Sequence, residues 1–487
     1  MNGLTRLATL LCTLALVAVS GCGGGGGGTV ISPPPPPIGG ITRNGVAVGP
    51  VTTFGSIVVN GVHYDTAATT FTNDGQAGSE ADLKVGQVVL VQGTIADDLS
   101  TGTADSVTFD DAVKGPIDSI DPALSQIVVL GQTVFIRPGT SFDDNISPAS
   151  IDGLAVPDIV EVSGLFTATG EIEATRVEKK PAGTPFEVHG TVSNSDAANF
   201  MFSLNALTVD YSAATLDNFP GGQISDGDFV EAKGVGLGGN DELLADKVEL
   251  ESTVVSGAEG THVEIEGFIT RFASATDFDV SGTPVVTNAS TQFTGGVAAD
   301  LGLNIKVEVE GQLDANDVLV ADKVDIRRGN AIRATALVDS VDPATESFVT
   351  LGITVTTDTL SRFEDKSSTR VRPLTIGDIS MGDYVDVRGQ ESPAGSGQIV
   401  ALIVERNDVD TRTILQGFVT NVTEPTLTIL GVTIKTTGAV FRDVDGSVLT
   451  AAQFFNLVAV NSLVKARGTE TSATTITATE VQLEIEL

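Results

Sequence analysis

The sequence is poor in the residues from which catalytic and metal centres are most often built. Its 487 residues include 2 Cys, 3 His, 3 Tyr and no Trp. So few thiols and imidazoles leave little material for a zinc site of nitrogen and sulfur ligands or for a thiol–imidazole pair. The shortage of Trp and Tyr also argues against a sugar-binding platform of stacked aromatic rings. We therefore expect the protein to have no enzymatic activity and no resident cofactor.

Positive charge is scarce as well. The chain has 27 Lys+Arg against 63 Asp+Glu, which gives a formal net charge of −36. Binding to duplex DNA or RNA needs clustered cations that release counterions from the phosphates, so the composition argues against nucleic acid as a partner. Such an excess of negative charge favours a soluble and extended set of domains.

An apolar run of 13 residues, 7–19, opens the chain after Arg6. It is shorter than the stretch of about 20 residues that spans a bilayer. Together with the small residues of Val19-Ser20-Gly21-Cys22, it resembles the signal peptide and lipobox of bacterial lipoproteins. The resemblance implies that residues 1–21 are a signal peptide and that Cys22 becomes the acylated first residue, carrying diacylglycerol and an amide-linked chain such as palmitate.

The segment after Cys22 reads as a tether. Loss of the signal peptide would remove Cys12, which leaves the mature chain without a free thiol or a disulfide. Six glycines at 23–28 form a flexible coil, and five prolines at 33–37 form a stiff, extended spacer. We expect residues 22–40 to be a disordered linker. Since the residue after the cysteine is not Asp, the resemblance to Gram-negative lipoproteins implies an outer-membrane anchor, with the protein facing the periplasm or the cell surface.

Past residue 40 the chain repeats one unit six times. Each unit contains an alternating apolar segment that ends in glycine, and these glycines are Gly93, Gly164, Gly234, Gly311, Gly389 and Gly468. An alanine followed three residues later by valine comes after each one, at Ala104, Ala174, Ala245, Ala321, Ala401 and Ala478. The constant order of these marks predicts tandem repeats. Their predicted bounds are 41–111, 112–180, 186–252, 263–328, 331–407 and 411–487.

The period within each unit is two, as in Val160-Glu161-Val162, which indicates β-strands. Five short antiparallel strands usually close into a barrel because closure removes open edges. We predict an all-β protein of six small five-stranded OB-like barrels in an elongated array, with a small sandwich as the alternative. Each unit has room for one helical stretch, near Leu83, Leu154, Leu374 and 451–455.

The units are too small to bury a large core alone, so we expect neighbours to dock side by side. The alternative is a set of beads on loose linkers, and residues 253–262 are the strongest candidate for a hinge between units.

Residues 54–61 and 83–93 resemble a β-rich repeat of bacterial lipoproteins that is described only as a domain of unknown function. The resemblance is closest over residues 45–180. It implies a lipoprotein setting and supplies no activity and no catalytic residues.

The histidines do not form a pattern. His63, His189 and His262 occupy no shared repeat position, and no Ser-His-Asp order is evident. We interpret them as isolated imidazoles at the surface or at strand ends.

Acidic residues recur in the glycine-ended strands, at Glu161, Glu231, Glu308 and Asp386. A two-carboxylate glycosidase site is possible by inventory alone. However, a catalytic pair tends to occur once in a chain, whereas these residues recur in several repeats and alternate with apolar ones. We interpret them as the solvated face of each strand.

Calcium is the metal ion that the sequence supports best. Loops at 143–145, 314–317 and 443–446 are rich in Asp and Asn, and Ca²⁺ takes about six to eight oxygen ligands. The same residues also form turns, and no loop has the full EF-hand spacing. Any affinity would be weak, in the millimolar range, and the metal site residues stay unknown.

The leading hypothesis is a non-enzymatic, lipid-anchored envelope protein that acts as a structural spacer or as an adhesin-like interaction module. Its partners would be the membrane, through Cys22, and an envelope glycan or protein. The alternative is a β-barrel repeat protein that binds a glycan, a peptide or Ca²⁺. A spacer predicts no concave pocket, whereas a binding protein predicts one.

Overall fold

The alternating segments of the repeats form β-strands in the computed structural model, which describes residues 43–54, 56–122, 124–327, 331–393, 395–444 and 446–484. The predicted signal peptide, Cys22 and the Gly/Pro tether lie outside the described residues. All six repeats belong to one compact unit, Ile41–Leu487.

The strands of the first three repeats follow the predicted order. Repeat 1 contains β1 (Arg43–Thr53), β2 (Ile57–Val59), β3 (Val62–Asp65), β4 (Thr70–Asn73), β5 (Gln76–Gly78), β6 (Val88–Ile95) and β7 (Thr101–Phe109). Repeat 2 contains β8 (Val113–Asp121), β9 (Gln126–Val129), β10 (Gln132–Phe142), β11 (Ile159–Phe166) and β12 (Ile172–Lys180). Repeat 3 contains β13 (Phe186–Asp196), β14 (Met201–Leu204), β15 (Leu207–Asp210), β16 (Thr215–Asp217), β17 (Phe229–Leu237) and β18 (Leu243–Leu250).

The last three repeats are built in the same way. Repeat 4 contains β19 (His262–Ser274), β20 (Asp277–Val280), β21 (Thr283–Val286), β22 (Gln292–Thr294), β23 (Lys306–Leu313) and β24 (Leu319–Ile326). Repeat 5 contains β25 (Ile332–Asp342), β26 (Ser347–Thr350), β27 (Ile353–Thr356), β28 (Arg362–Asp365), β29 (Tyr384–Glu391) and β30 (Ile399–Asn407). Repeat 6 contains β31 (Thr413–Thr423), β32 (Thr426–Ile429), β33 (Val432–Lys435), β34 (Val440–Arg442), β35 (Val448–Leu449), β36 (Leu463–Ser472) and β37 (Thr475–Leu483).

Five strands of each repeat close into a small barrel. In repeat 1, β1, β2 and β3 form an antiparallel meander, β3 pairs in parallel with β7, and β6 joins β7 back to β1. The same ring closes in the other repeats through a parallel contact between the third and the last strand of the ring. This is the predicted five-stranded, OB-like arrangement, and the all-β, six-repeat prediction is confirmed.

A bulge explains why glycine and alanine recur. The closing glycine of each strand lies opposite the recurring alanine, as Gly389 does opposite Ala401, at a register shift in the ladder. A Cβ on any of the six glycines would lie 2.0 to 2.5 Å from a carbonyl oxygen of the facing strand. Only glycine allows that close approach.

The helical stretches lie where the sequence predicts them, directly before the glycine-ended strand. They are 3-10 turns at Glu80–Asp82, Ile151–Gly153, Pro220–Gly222, Ala298–Asp300 and Ile376–Asp378, and α1 at Ala451–Leu457. A further 3-10 turn, Pro343–Thr345, precedes β26. Thr450 caps α1, because its hydroxyl accepts a hydrogen bond from the Gln453 backbone N–H. In the described part of the chain, no helix has the length and apolar character needed to cross a membrane.

The barrels pair into three sheets. Repeats 2 and 3 join through antiparallel β8 and β13, and repeats 5 and 6 through antiparallel β25 and β31. Repeats 1 and 4 join through parallel β1 and β19. The expected docking of neighbours therefore holds for two pairs. Repeat 1 pairs with repeat 4 instead of repeat 2, and β11 of repeat 2 contacts both β6 and β19. The array is therefore not a simple succession of neighbours.

The predicted hinge is held by hydrogen bonds to repeat 4. The backbone N–H of Val255 donates to Thr283 Oγ1, Gly257 N–H donates to Asp317 Oδ1, and Gly260 N–H donates to the Leu313 carbonyl. The segment is therefore a packed connection rather than a loose one.

Candidate functional site

The recurring strand carboxylates are buried, so their interpretation as a solvated face is wrong. Glu161, Glu231, Glu308 and Asp386 are each less than 9% exposed. They point away from the barrel cores, as their alternation with apolar residues requires. The outer face of each strand is covered instead by a neighbouring barrel or by long basic side chains.

Each of these carboxyl groups has a cationic partner, although burial still raises the pKa of Glu161, Glu231 and Glu308. Glu161 pairs with Lys180 at 2.9 Å, Glu231 pairs with Lys233 at 2.8 Å, and Glu308 pairs with Arg327. Such pairing is what makes burial of a charge tolerable.

Asp386 has two arginine partners, Arg333 and Arg388, each at 2.8 Å. Burial alone would raise the pKa of Asp386, but the two guanidinium groups outweigh burial and hold the pKa well below its usual range. Asp386 is therefore ionised at any physiological pH.

A large cavity lies between the barrels and has a volume of about 1180 Å³. Repeats 1, 2, 4, 5 and 6 all contribute to its walls. Its basic lining residues are Arg137, Lys306, Arg327, Arg333, Arg362, Arg388 and Lys465. Its acidic lining residues are Glu171, Glu173, Glu266, Asp300, Asp325, Asp358 and Glu484. The described walls thus hold equal numbers of each sign, in a chain with an excess of 36 negative charges.

Most of the basic lining residues are engaged in ion pairs. Lys306 lies 3.2 Å from Glu173 and 3.1 Å from Glu266, which joins repeat 4 to repeat 2. Arg388 also donates 2.7 Å to the Thr140 carbonyl of repeat 2. These contacts fix the walls of the cavity and leave their basic groups unavailable to a ligand.

Two arginines differ from the rest. Within the described residues, neither Arg362 nor Arg137 has a carboxylate oxygen within 4.0 Å. Arg362 is 3% exposed and donates to the carbonyls of Gly139 at 2.7 Å and Thr175 at 3.3 Å, while its Nε has no partner. Burial lowers the pKa of Arg362 to about 10, so it remains a cation.

Arg137 sits above the ring of Phe135, 4.5 Å from the centroid, and its buried Nη1 has no hydrogen-bond partner. Burial lowers the pKa of Arg137 as well. Arg137 and Arg362 are therefore cations of the cavity wall without a carboxylate partner among the described residues, and a guanidinium group of this kind suits a carboxylate or another oxyanion.

The histidines lie apart, as expected, but two of the three are buried. His63 is exposed, whereas His189 is 7% exposed beside Glu231 and His262 is 2% exposed beside Glu264. The interpretation as surface or strand-end imidazoles is therefore wrong for His189, whereas His262 is a strand-end residue, the first of β19, but is buried. Both stand on the first strand of a barrel where another barrel covers it.

The acidic loops suggested for calcium engage their side chains locally. Asp143 accepts a hydrogen bond from Asn145, and Asp314 accepts from the backbone N–H groups of Asn316 and Val318. Asp443 accepts a hydrogen bond from the backbone N–H of Val444. Position 445 of the same loop is outside the described residues. Weak calcium binding stays a prediction.

The sequence reasoning did not find the cavity residues. Arg137 and Arg362 occupy no repeated position and come from repeats that are distant in the chain. Their clustering is visible only in the fold, which places 7 of the 27 Lys and Arg residues of the chain on this cavity.

Comparison with known proteins agrees with the six-barrel architecture. The family described as Domain of unknown function (DUF5666) matches residues 48–107, 114–178, 189–249, 266–325, 335–405 and 416–482. Each match covers most of one barrel. None of the curated proteins compared with the chain matches it. Because the six matches together cover well over half of the 487 residues, the chain belongs to this family of tandem domains.

Proposed function

We propose that this protein is a non-enzymatic, lipid-anchored envelope protein that binds an acidic glycan in the cavity between its barrels. The observation that carries the proposal is the cavity of about 1180 Å³. A pure spacer has no need of such a cavity, and ligand pockets commonly measure about 300–1,000 Å³. The volume suits a short oligosaccharide.

The chemistry of the walls favours a glycan with carboxylate groups. Arg137 and Arg362 are cations of the wall that no carboxylate of the described chain pairs with. Hydroxyl and amide side chains between the ion pairs suit sugar hydroxyls, and they include Thr52, Ser125, Thr167, Gln390, Ser392 and Gln416. Apolar side chains such as Phe135, Phe142 and Phe268 also line the walls, so a peptide is the alternative ligand that the experiment must distinguish.

Isothermal titration with an oligomer of galacturonate tests this proposal. A neutral glucose oligomer of equal length and a short aspartate peptide serve as comparison ligands. We expect binding of the acidic glycan, and a weakening of about 10-fold or more in Arg137→Gln, because a hydrogen bond to a charged group contributes about 1.5–3 kcal/mol.

Arg412→Gln is the matched control, because the Arg412 side chain is 82% exposed and lies away from the cavity. Its affinity should equal that of the unaltered protein. Absence of binding to the galacturonate oligomer, or equal affinities in the two variants, would overturn the proposal. Tight binding of the peptide alone would reassign the cavity to peptides.

The membrane anchor is tested separately through Cys22. In Cys22→Ser the acyl chains have no attachment point, so we expect the protein to move from the membrane fraction to the soluble fraction. Mass spectrometry of the mature amino terminus should find the acyl chains in the unaltered protein. An unmodified Cys22, or a variant that still sediments with membranes, would contradict the anchor. Protease treatment of intact cells then distinguishes a surface orientation from a periplasmic one.

A further inference from the structure

A second cluster of chemistry-bearing residues lies at the junction of repeats 1 and 4, apart from the cavity arginines. His262 and Glu264 are alternate residues of β19, and Val263 and Ile265 between and after them belong to the core of repeat 4. His262 and Glu264 therefore point away from that core. Within the sheet β1 lies beside this part of β19, with Ala47 opposite Glu264.

Glu310 completes the cluster from the neighbouring strand. It lies on β23 directly opposite Glu264 in the ladder. One nitrogen or oxygen atom from each of His262, Glu264 and Glu310 lies within 4.8 Å of the other two. His262 Nε2 and Glu264 Oε1 are 3.1 Å apart.

The cluster holds two buried polar atoms that have no partner. His262 and Glu264 are 2% and 3% exposed, and His262 Nδ1 and Glu264 Oε2 make no hydrogen bond. Like charges directly opposite each other in a ladder repel. Among the residues that the structure describes, no Lys or Arg lies within 4.0 Å of the carboxylate oxygens of Glu264 or Glu310.

Another acidic cluster of the same chain shows what normally balances such an arrangement. Asp74, Asp111 and Glu187 surround the ammonium group of Lys114, at 2.7, 2.6 and 2.7 Å from Nζ. The lysine there occupies the place that a cation would take. In the cluster around His262 the nearest lysine, Lys323, lies opposite Glu310 in the ladder but forms no ion pair within 4.0 Å with either carboxylate.

We propose that His262, Glu264 and Glu310 bind one divalent transition-metal ion, for which Zn²⁺ is the best match, with water as the remaining ligand. One imidazole nitrogen and two carboxylates are a ligand set that Zn²⁺ accepts in four-coordinate geometry. Ca²⁺ fits less well, since it takes about six to eight oxygen ligands. The ion would stand beside the β1–β19 junction and connect β19 to β23 within repeat 4.

Coordination at neutral pH would leave His262 neutral and would release the proton that Glu264 holds. Burial lowers the pKa of His262, so its imidazole is neutral and can coordinate at neutral pH. Burial, and then the neighbouring Glu310, raise the pKa of Glu264 to about 8. A divalent cation would remove that penalty by compensating both carboxylates. Glu310 is only half-buried, so it is the member of the cluster that is most open to solvent.

Titration of the chelator-treated full-length protein with ZnCl₂ tests the site. We expect one high-affinity ion per chain, and visible absorption bands of a tetrahedral complex when CoCl₂ replaces zinc. Glu310→Gln should weaken Zn²⁺ binding by about 100-fold or more, since a ligand atom is lost while the shape is kept.

Two controls separate this site from others. His63→Gln removes an exposed imidazole, and Asp74→Asn removes a carboxylate from the lysine-centred cluster, so both should keep the affinity of the unaltered protein. The unaltered protein itself decides the main question. Failure to bind Zn²⁺ below about 1 mM, or equal binding in Glu310→Gln, would overturn the proposal. Loss of binding in His63→Gln would assign the ion to the surface instead.

Discussion

At the scale of single residues, the closing glycines carry a steric constraint that recurs in every barrel. Gly311 lies where an added Cβ would approach the Val320 carbonyl oxygen to 2.2 Å. By contrast, a Cβ at Gly302 of the same repeat would meet its nearest atom, of Ile305, at 3.9 Å. The two glycines therefore differ in the room that is available for an added methyl group.

We predict that Gly311→Ala lowers the stability of repeat 4 by about 1–3 kcal/mol, as overpacking does, because the bulge must open. Gly302→Ala should change it by less than about 0.5 kcal/mol. The midpoints of thermal unfolding of the two variants measure the difference. Equal midpoints would show that the bulge can accept a methyl group.

Glu264 makes stability depend on pH in the metal-free protein. Its pKa rises from an ordinary value of 4.5 to about 8 in the folded chain, through burial and Glu310. The groups facing it are His262, Glu310, Lys323 and Tyr64. Because the folded pKa is raised, its favourable contribution is complete below about pH 4.5 and is lost as the pH rises through about 8.

We therefore expect Glu264→Gln to match the unaltered protein at pH 5 and to exceed it in thermal stability at pH 9. The gain should be a few kcal/mol, since each unit of pKa shift corresponds to about 1.4 kcal/mol. Unfolding midpoints in the presence of a chelator provide the measurement. A stability difference that is the same at both pH values would rule out this role for Glu264.

At the scale of the strand, ion pairs on the buried outer faces hold neighbouring barrels together. Lys114 of β8 reaches Glu187 of β13 in repeat 3 and also Asp74 of repeat 1, so one ammonium group connects three barrels. Burial raises the pKa of Asp111, with a further contribution from Glu187, while Lys114 opposes both. The three carboxylates depend on this lysine.

Lys114→Met should lower the stability of repeats 2 and 3 by about 3–5 kcal/mol, because buried carboxylates then lose their counter-charge. Lys247→Met is the matched change at a half-exposed position, where Lys247 pairs with Glu249. It should cost about 1 kcal/mol or less. Thermal unfolding compares the two, and similar losses would mean that burial does not govern the effect.

The strands could be predicted from the sequence, but the environment of their outer faces could not. A period of two shows that Glu161 and Asp386 share a face opposite the valines, and it does not show what covers that face. The covering barrels are set by tertiary packing. In the same way, His262 and Glu310 become neighbours through a ladder register that residue spacing alone does not reveal.

At the scale of the whole molecule, the number and type of barrels could be predicted, whereas their pairing could not. The residues of β1 that pair with β19 are small or apolar, such as Gly45 and Val46, and similar residues open other repeats. Nothing in their chemistry selects repeat 4 as the partner of repeat 1. The cavity follows from that pairing, so its residues could not be grouped in advance.

Deletion of residues 41–111 tests the pairing. We expect faster amide hydrogen exchange in β19, which loses its β1 neighbour, and unchanged exchange in β31 of repeat 6. Mass spectrometry of the exchanged protein resolves the two strands. Unchanged exchange in β19 would contradict the pairing of repeats 1 and 4, and equally faster exchange in β31 would indicate general unfolding.

The pairing of β1 with β19 also sets a delay during synthesis. Gly45 and His262 are partners, and 262 − 45 = 217 residues separate them. A ribosome adds about 5–20 residues per second, so the first barrel waits roughly 10 to 40 s before its partner strand is made. Throughout that interval the outer edge of β1 offers free peptide groups to any other nascent strand, and a chaperone that shields this edge would protect the assembly.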